Sequence, residues 1–99
     1  MPAKYKAEPH HASRVEQLLH EAGATHLRAR TYGATVIVQS GPTKDPVKHF
    51  RLRRATAQWW FLEPAGRGGR WEKTPFRGNI QEMVSMAVDT FPWILTEIA

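Results

Sequence analysis

A chain of 99 residues has room for one small domain and one core. Its apolar content of 41%, with four Trp and four Phe, suffices for that core and argues against a disordered chain. The absence of Cys excludes disulfides and thiolate chemistry, and no apolar run approaches the ~18–20 residues of a membrane span. The opening Met1-Pro2-Ala3-Lys4-Tyr5-Lys6 is polar and holds no signal-peptide apolar stretch, so a cytoplasmic protein with no membrane partner is the expectation. The net charge of +5 is unevenly spread. Residues 1–27 are neutral, residues 28–77 carry eleven Lys or Arg against Asp45, Glu63 and Glu72, and residues 78–99 carry three acids and no base.

In chain order, residues 1–9 read as a flexible tail and 10–99 as a single α+β domain. Pro9 suits a first helical position, and Ser13-x-x-Glu16 has capping-box spacing as a second possible start. Val15, Leu18, Leu19 and Ala22 form one apolar stripe, and Gly23 suits a helix C-terminus, which predicts a helix over about residues 10–22. Residues 26–32 alternate with period two, Gly33 marks a turn, and Ala34 to Gln39 are rich in β-branched residues, which predicts a hairpin. Ser40 to Pro46 is a loop. A third strand from Val47 turns Phe50 and Leu52 inward and His49, Arg51 and Arg53 outward. Gln58 to Leu62 is a strongly apolar strand, Pro64 to Gly69 a turn, and Arg70 to Thr74 a short last strand. Asn79 and Glu82 have the spacing of a helix start, and Ile80, Met83, Val84, Ala87, Val88 and Phe91 make a second stripe that Pro92 ends. Trp93-Ile94-Leu95 reads as a further turn packed on the core. The implied fold is a two-layer α+β sandwich of α-β-β-β-β-α order, an antiparallel sheet with both helices on one face and the other face open.

The richest constellation is the outward row His26, Arg28, Arg30, His49, Arg51 and Arg53, with Lys44 and Lys48 at its margin. Guanidinium forks match phosphate oxygens, and outward Tyr32 and Trp60 would offer stacking surfaces for unpaired bases. The plain alternative is a solvated face, since an exposed sheet surface is polar in any case. Arg67-Gly68-Gly69-Arg70 places a glycine turn between two cations; no Lys-Ser or Lys-Thr follows it, so it is no P-loop, and a hairpin turn is its simpler meaning. His10 and His11, being adjacent, do not point at one metal from one helix face, so no metal or cofactor is expected. His49 between cations is a candidate base for RNA cleavage, although a solvent-facing histidine is the simpler reading. Trp59 and Trp60 point to opposite faces of a strand, so one of them leaves the core for an interface or a base.

The order helix, strands, helix resembles double-stranded RNA-binding domains and the small HicA-type toxins, and Ser13 to Thr31 resembles the helix-Gly-strand opening of those toxins. The Gly-Ser-His segment that carries the toxins' active histidine is absent, the turn here reading Arg30-Thr31-Tyr32-Gly33-Ala34-Thr35. The last helix opens with acidic Asn79-Ile80-Gln81-Glu82 instead of the Lys-Lys pair of the RNA-binding domains. The resemblance therefore implies no active site. The functional expectation is nucleic-acid or polyanion binding on the open sheet face, by RNA or DNA, with no catalytic residue assigned. The alternatives are a protein-interaction or regulatory subunit, as a homodimer or partner of an acidic protein, and, more weakly, a small ribonuclease toxin.

Overall fold

The computed structural model describes residues 5–90. Helix α1 spans Pro9–Glu21 and helix α2 Ile80–Thr90, with strands β1 Arg28–Tyr32, β2 Thr35–Ser40, β3 Val47–Arg54, β4 Trp60–Pro64 and β5 Arg77–Gly78 between them. The strands form one antiparallel meander in the order β1-β2-β3-β4-β5. Helix α1 packs on β1 and β2, α2 packs on β4 and β5, and the helices touch each other, so both cover one face. The two-layer α+β layout expected from the sequence is present, with five strands in place of the four of the α-β-β-β-β-α order. No helix among the described residues is long and apolar enough to cross a membrane.

The core follows from the two periodicities. Val15 and Leu19 of α1 and Met83, Val84 and Ala87 of α2 meet Val36, Val38, Phe50, Leu52, Trp60 and Leu62 of the sheet. Each large side chain buried here contributes roughly 1.5–3 kcal/mol over its exposed state. Phe91 to Leu95, expected to complete the second stripe and a further turn, lie outside the described residues.

Local rules explain where the elements start and stop. Helix α1 begins at Pro9, not at Ser13. Its first turn is closed by His11, whose Nδ1 accepts from the Glu8 backbone N–H at 3.0 Å, as a Glu or Gln does in a capping box. Glu16 is occupied elsewhere: its Oε1 accepts from the Ala29 N–H at 3.0 Å and ties α1 to the outer edge of β1. His20 lies 2.9 Å, Nε2 to oxygen, from the carbonyl of Leu27. Within the expected tail, Ala7 donates to the Gly33 carbonyl at 2.9 Å, and Arg54 donates to the Lys6 carbonyl at 2.8 Å. The segment from residue 5 is thus attached across the β1–β2 turn. At α2, Asn79 Oδ1 accepts from the Glu82 N–H at 2.8 Å and Glu82 Oε1 from the Asn79 N–H at 3.0 Å.

The last strand differs from expectation. Residues 70–74 form no strand; only an isolated Ala65–Trp71 bridge stands there, and the fifth strand is Arg77–Gly78. The glycine turn absorbs residues 67–69 in a tight kinked turn in which Gly68 takes a positive φ. Thr74 then satisfies the Leu62 carbonyl with its hydroxyl, where a strand would use a backbone N–H, and Pro75 has no N–H to give.

Two outcomes are expected. Asn79→Ala removes one arm of the α2 cap and lowers stability by about 1 kcal/mol, read as a fall in urea midpoint at unchanged m. The pKa of His11 lies below the ordinary 6.5, first through burial, then through His10 and Arg54, with Glu8 opposing them. A depressed histidine contributes stability above its unfolded pKa and loses it as pH falls through the folded one. The urea midpoint should therefore drop from pH 8 to pH 5, and His11→Gln, which keeps an acceptor at this position, should flatten that part of the profile.

Candidate nucleic-acid interface

The face of the sheet away from the helices is set by register. Arg30, Ile37, Arg51 and Glu63 form one row across β1 to β4. Tyr32, Thr35, Arg53, Phe61 and Arg77 form the next, across all five strands. Arg28, Gln39 and Lys48 form the third. Among the described residues, six cations thus share this face with one carboxylate.

That carboxylate organises the centre. Glu63 is 1% exposed; its Oε1 accepts from Arg51 Nε at 2.7 Å and its Oε2 from Arg53 Nε at 3.0 Å. Such charge-assisted bonds are about twice as strong as neutral ones, and they fix both guanidinium planes. Aromatic rings hold the same groups from another side. The Arg51 guanidinium carbon lies 4.9 Å from the Trp71 ring centre, and that of Arg53 4.8 Å from the Phe61 centre. Arg30 Nε donates to Gln39 Oε1 at 3.1 Å, and Arg28 donates to the Gly41 carbonyl at 2.8 Å. Ile37, between Arg30 and Arg51 in register, is only 4% exposed although neither α1 nor α2 lies on this side. The arrangement is a fixed array of guanidinium groups above a partly apolar floor.

The expected site residues divide. Arg28, Arg30, Lys48, Arg51 and Arg53 share the face, and Arg67 and Arg70 are exposed on the hairpin loop beside Trp71. His26, His49 and Trp60 do not stand in the rows. Trp60 points under the helices, 2% exposed, its ring 5.0 Å edge-on to His11, because it shares phase with Leu62; its neighbour Trp59 is the exposed one. His49 is displaced by a bulge: β2 and β3 shift register after Val38, so Lys48 instead of His49 continues the outward row opposite Gln39. His49 is 5% exposed, with Nε2 2.7 Å from Ser40 Oγ and its ring 6.2 Å from that of His26, which precedes β1. Buried in this way, His49 has no open approach to a phosphate on the outer face.

The sequence by itself gives Glu63 and Arg77 no place in the site. Glu63 is one of only three acids in residues 28–77. Its phase opposite Leu62 was the available signal. The adjacent histidines also differ from expectation: their rings are 4.0 Å apart, and Glu8, His10 and His11 bring one ligand atom each within 4.8 Å of one another. Glu8 and His10 are exposed and His11 is partly buried; the cluster lies at the positive end of α1 with Arg54 close by, both of which oppose a cation. No family model, curated protein or solved structure matches this chain.

Glu63→Gln should weaken both guanidinium contacts and lower stability by about 2 kcal/mol. The cost stays below that of a fully buried pair because Arg51 and Arg53 retain solvent access, with 23% and 38% of their side chains exposed. Urea denaturation of the two proteins at low and high salt checks this, and an unchanged midpoint would show that Glu63 does not hold the array.

Proposed function

We propose that this chain binds nucleic acid on the open sheet face and that no chemistry occurs there. The observation that carries the reading is the array itself: five arginines and Lys48 on one surface, opposed by one carboxylate that holds two of them in place. Holding the long side chains beforehand lowers the entropy lost when phosphates arrive. Flanking Tyr32, 70% exposed, and half-buried Phe61 add aromatic surface among the cations. A bare solvated face would not need its arginines fixed by a buried carboxylate and two rings.

The second reading is a protein interaction, as a homodimer or with an acidic partner. It is favoured by Trp59, 49% exposed and immediately before β4. A monomeric mass unaffected by Trp59→Ser would remove the homodimer form.

The test is fluorescence anisotropy of labelled 20-nucleotide RNA and DNA. If about four phosphates are engaged, single-strand affinity should fall about 50-fold from 50 to 200 mM salt. Arg30→Glu with Arg77→Glu, which spares the Glu63 contacts, should abolish binding and leave the fold intact. Absence of binding by folded protein at tens of micromolar and 50 mM salt, where even non-specific binders associate, would reject the reading.

A further inference from the structure

We infer that Trp71 is a stacking position for an unpaired base, so that the ligand of the basic face is single-stranded nucleic acid. This rests on the nucleic-acid reading and specifies it. Trp71 follows the glycine loop between β4 and β5 and is held there by its bridge to Ala65 and by the Glu72 N–H, which donates to the Pro64 carbonyl at 2.8 Å. Its ring is half-buried, beside the Arg51 guanidinium that Glu63 fixes.

Two hollows meet at this residue. The larger, about 590 Å³, is lined by Gly66, Arg67, Gly68, Arg70, Trp71 and Glu72. The smaller, about 220 Å³, reaches Lys48 and Pro46 and shares Gly66, Arg70 and Trp71. The larger lies within the range of small-molecule sites. Gly68 and Gly69, lining the larger and the smaller hollow, have φ of 65° and 76°, and nothing stands within 4 Å of the place a Cβ would occupy on either.

The lining combines three chemistries. The Trp71 ring matches the π-face that every base has. Exposed Arg67 and Arg70, with Lys48 leading back to the sheet rows, match the flanking phosphates. Glu72, exposed in the same hollow, is an acceptor for an exocyclic amino group. A cleft for bare polyanion would gain nothing from a carboxylate, which repels phosphate. A base inside a duplex is stacked and paired and does not reach the ring, so the site selects a strand whose bases are free.

The experiment compares wild type, Trp71→Ala and Trp71→Phe on a 20-nucleotide single strand, the same sequence as duplex, and the strand with abasic sites. The wild type should prefer the single strand, and abasic substitution should weaken it. Trp71→Ala should lose about 5- to 150-fold on the single strand, the effect of one stacked base. Its duplex affinity should change little, and Trp71→Phe should recover most of the loss. Equal single-strand binding by wild type and Trp71→Ala, with binding still lost in the Arg30/Arg77 double variant, overturns the inference and leaves the nucleic-acid reading standing. No binding of any oligonucleotide by the wild type overturns both. If Trp71→Ala does not fold, wild-type protein that binds normal and abasic strands alike gives the overturning result.

Discussion

Glu63 is a buried carboxylate on a sheet face that neither α1 nor α2 covers. A carboxylate removed from water is costly to keep ionised unless cations replace the lost solvation. Here Arg51 and Arg53 supply that replacement at 2.7 and 3.0 Å. The constraint acts in both directions. The cations make the burial tolerable, and the carboxylate keeps two long, mobile side chains in one orientation. Phe61 and Trp71 then lie against the same guanidinium groups, which joins β3, β4 and the glycine hairpin into a single surface. Without Glu63 the outer face is a set of mutually repelling arginines. With it, the face is a defined arrangement of charge and ring.

The helix layer solves a different problem. The outer edge of β1 offers unpaired backbone groups, a hazard for edge-to-edge association. Glu16 accepts from the Ala29 N–H, and the His20 ring meets the Leu27 carbonyl, so side chains of α1 cover part of that edge. Arg54 does comparable work at the other end of the molecule. It donates to carbonyls of Lys6, Thr56 and Ala57 and lies near the rings of Tyr5 and Trp60, so a basic residue that looks like part of the charge array serves local structure.

Much of the architecture is legible in the sequence because it depends on local periodicity. The stripes Val15-Leu19 and Met83-Val84-Ala87, the β-branched run of β2 and the Asn79–Glu82 cap each state their own structure. Legibility fails where one residue shifts a phase. Strict alternation puts His49, Arg51 and Arg53 in the outward row of β3, but the bulge opposite Val38 and Gln39 puts Lys48 outward and buries His49. Alternation opposes Trp59 and Trp60 in direction, and the pairing of Trp60 with Arg54 and Gly78 decides which of them enters the core. Arg77 joins the face because the fifth strand lies beyond Pro75, and the glycine loop is what brings Trp71 beside Arg51.

By itself the sequence determined an α+β sandwich with an uneven charge, since amphipathic spacing and composition are properties of neighbouring residues. Only the tertiary structure decided which charges are held together and which residues they surround. The Arg51–Glu63–Arg53 contacts join β3 to β4 across a register, and the Arg51–Trp71 contact joins β3 to a hairpin. Such partners are distant along the chain, and a single bulge changes which of them meet. The basic stretch of residues 28–77 could be counted from the letters. Its conversion into an oriented surface required the pairing of strands.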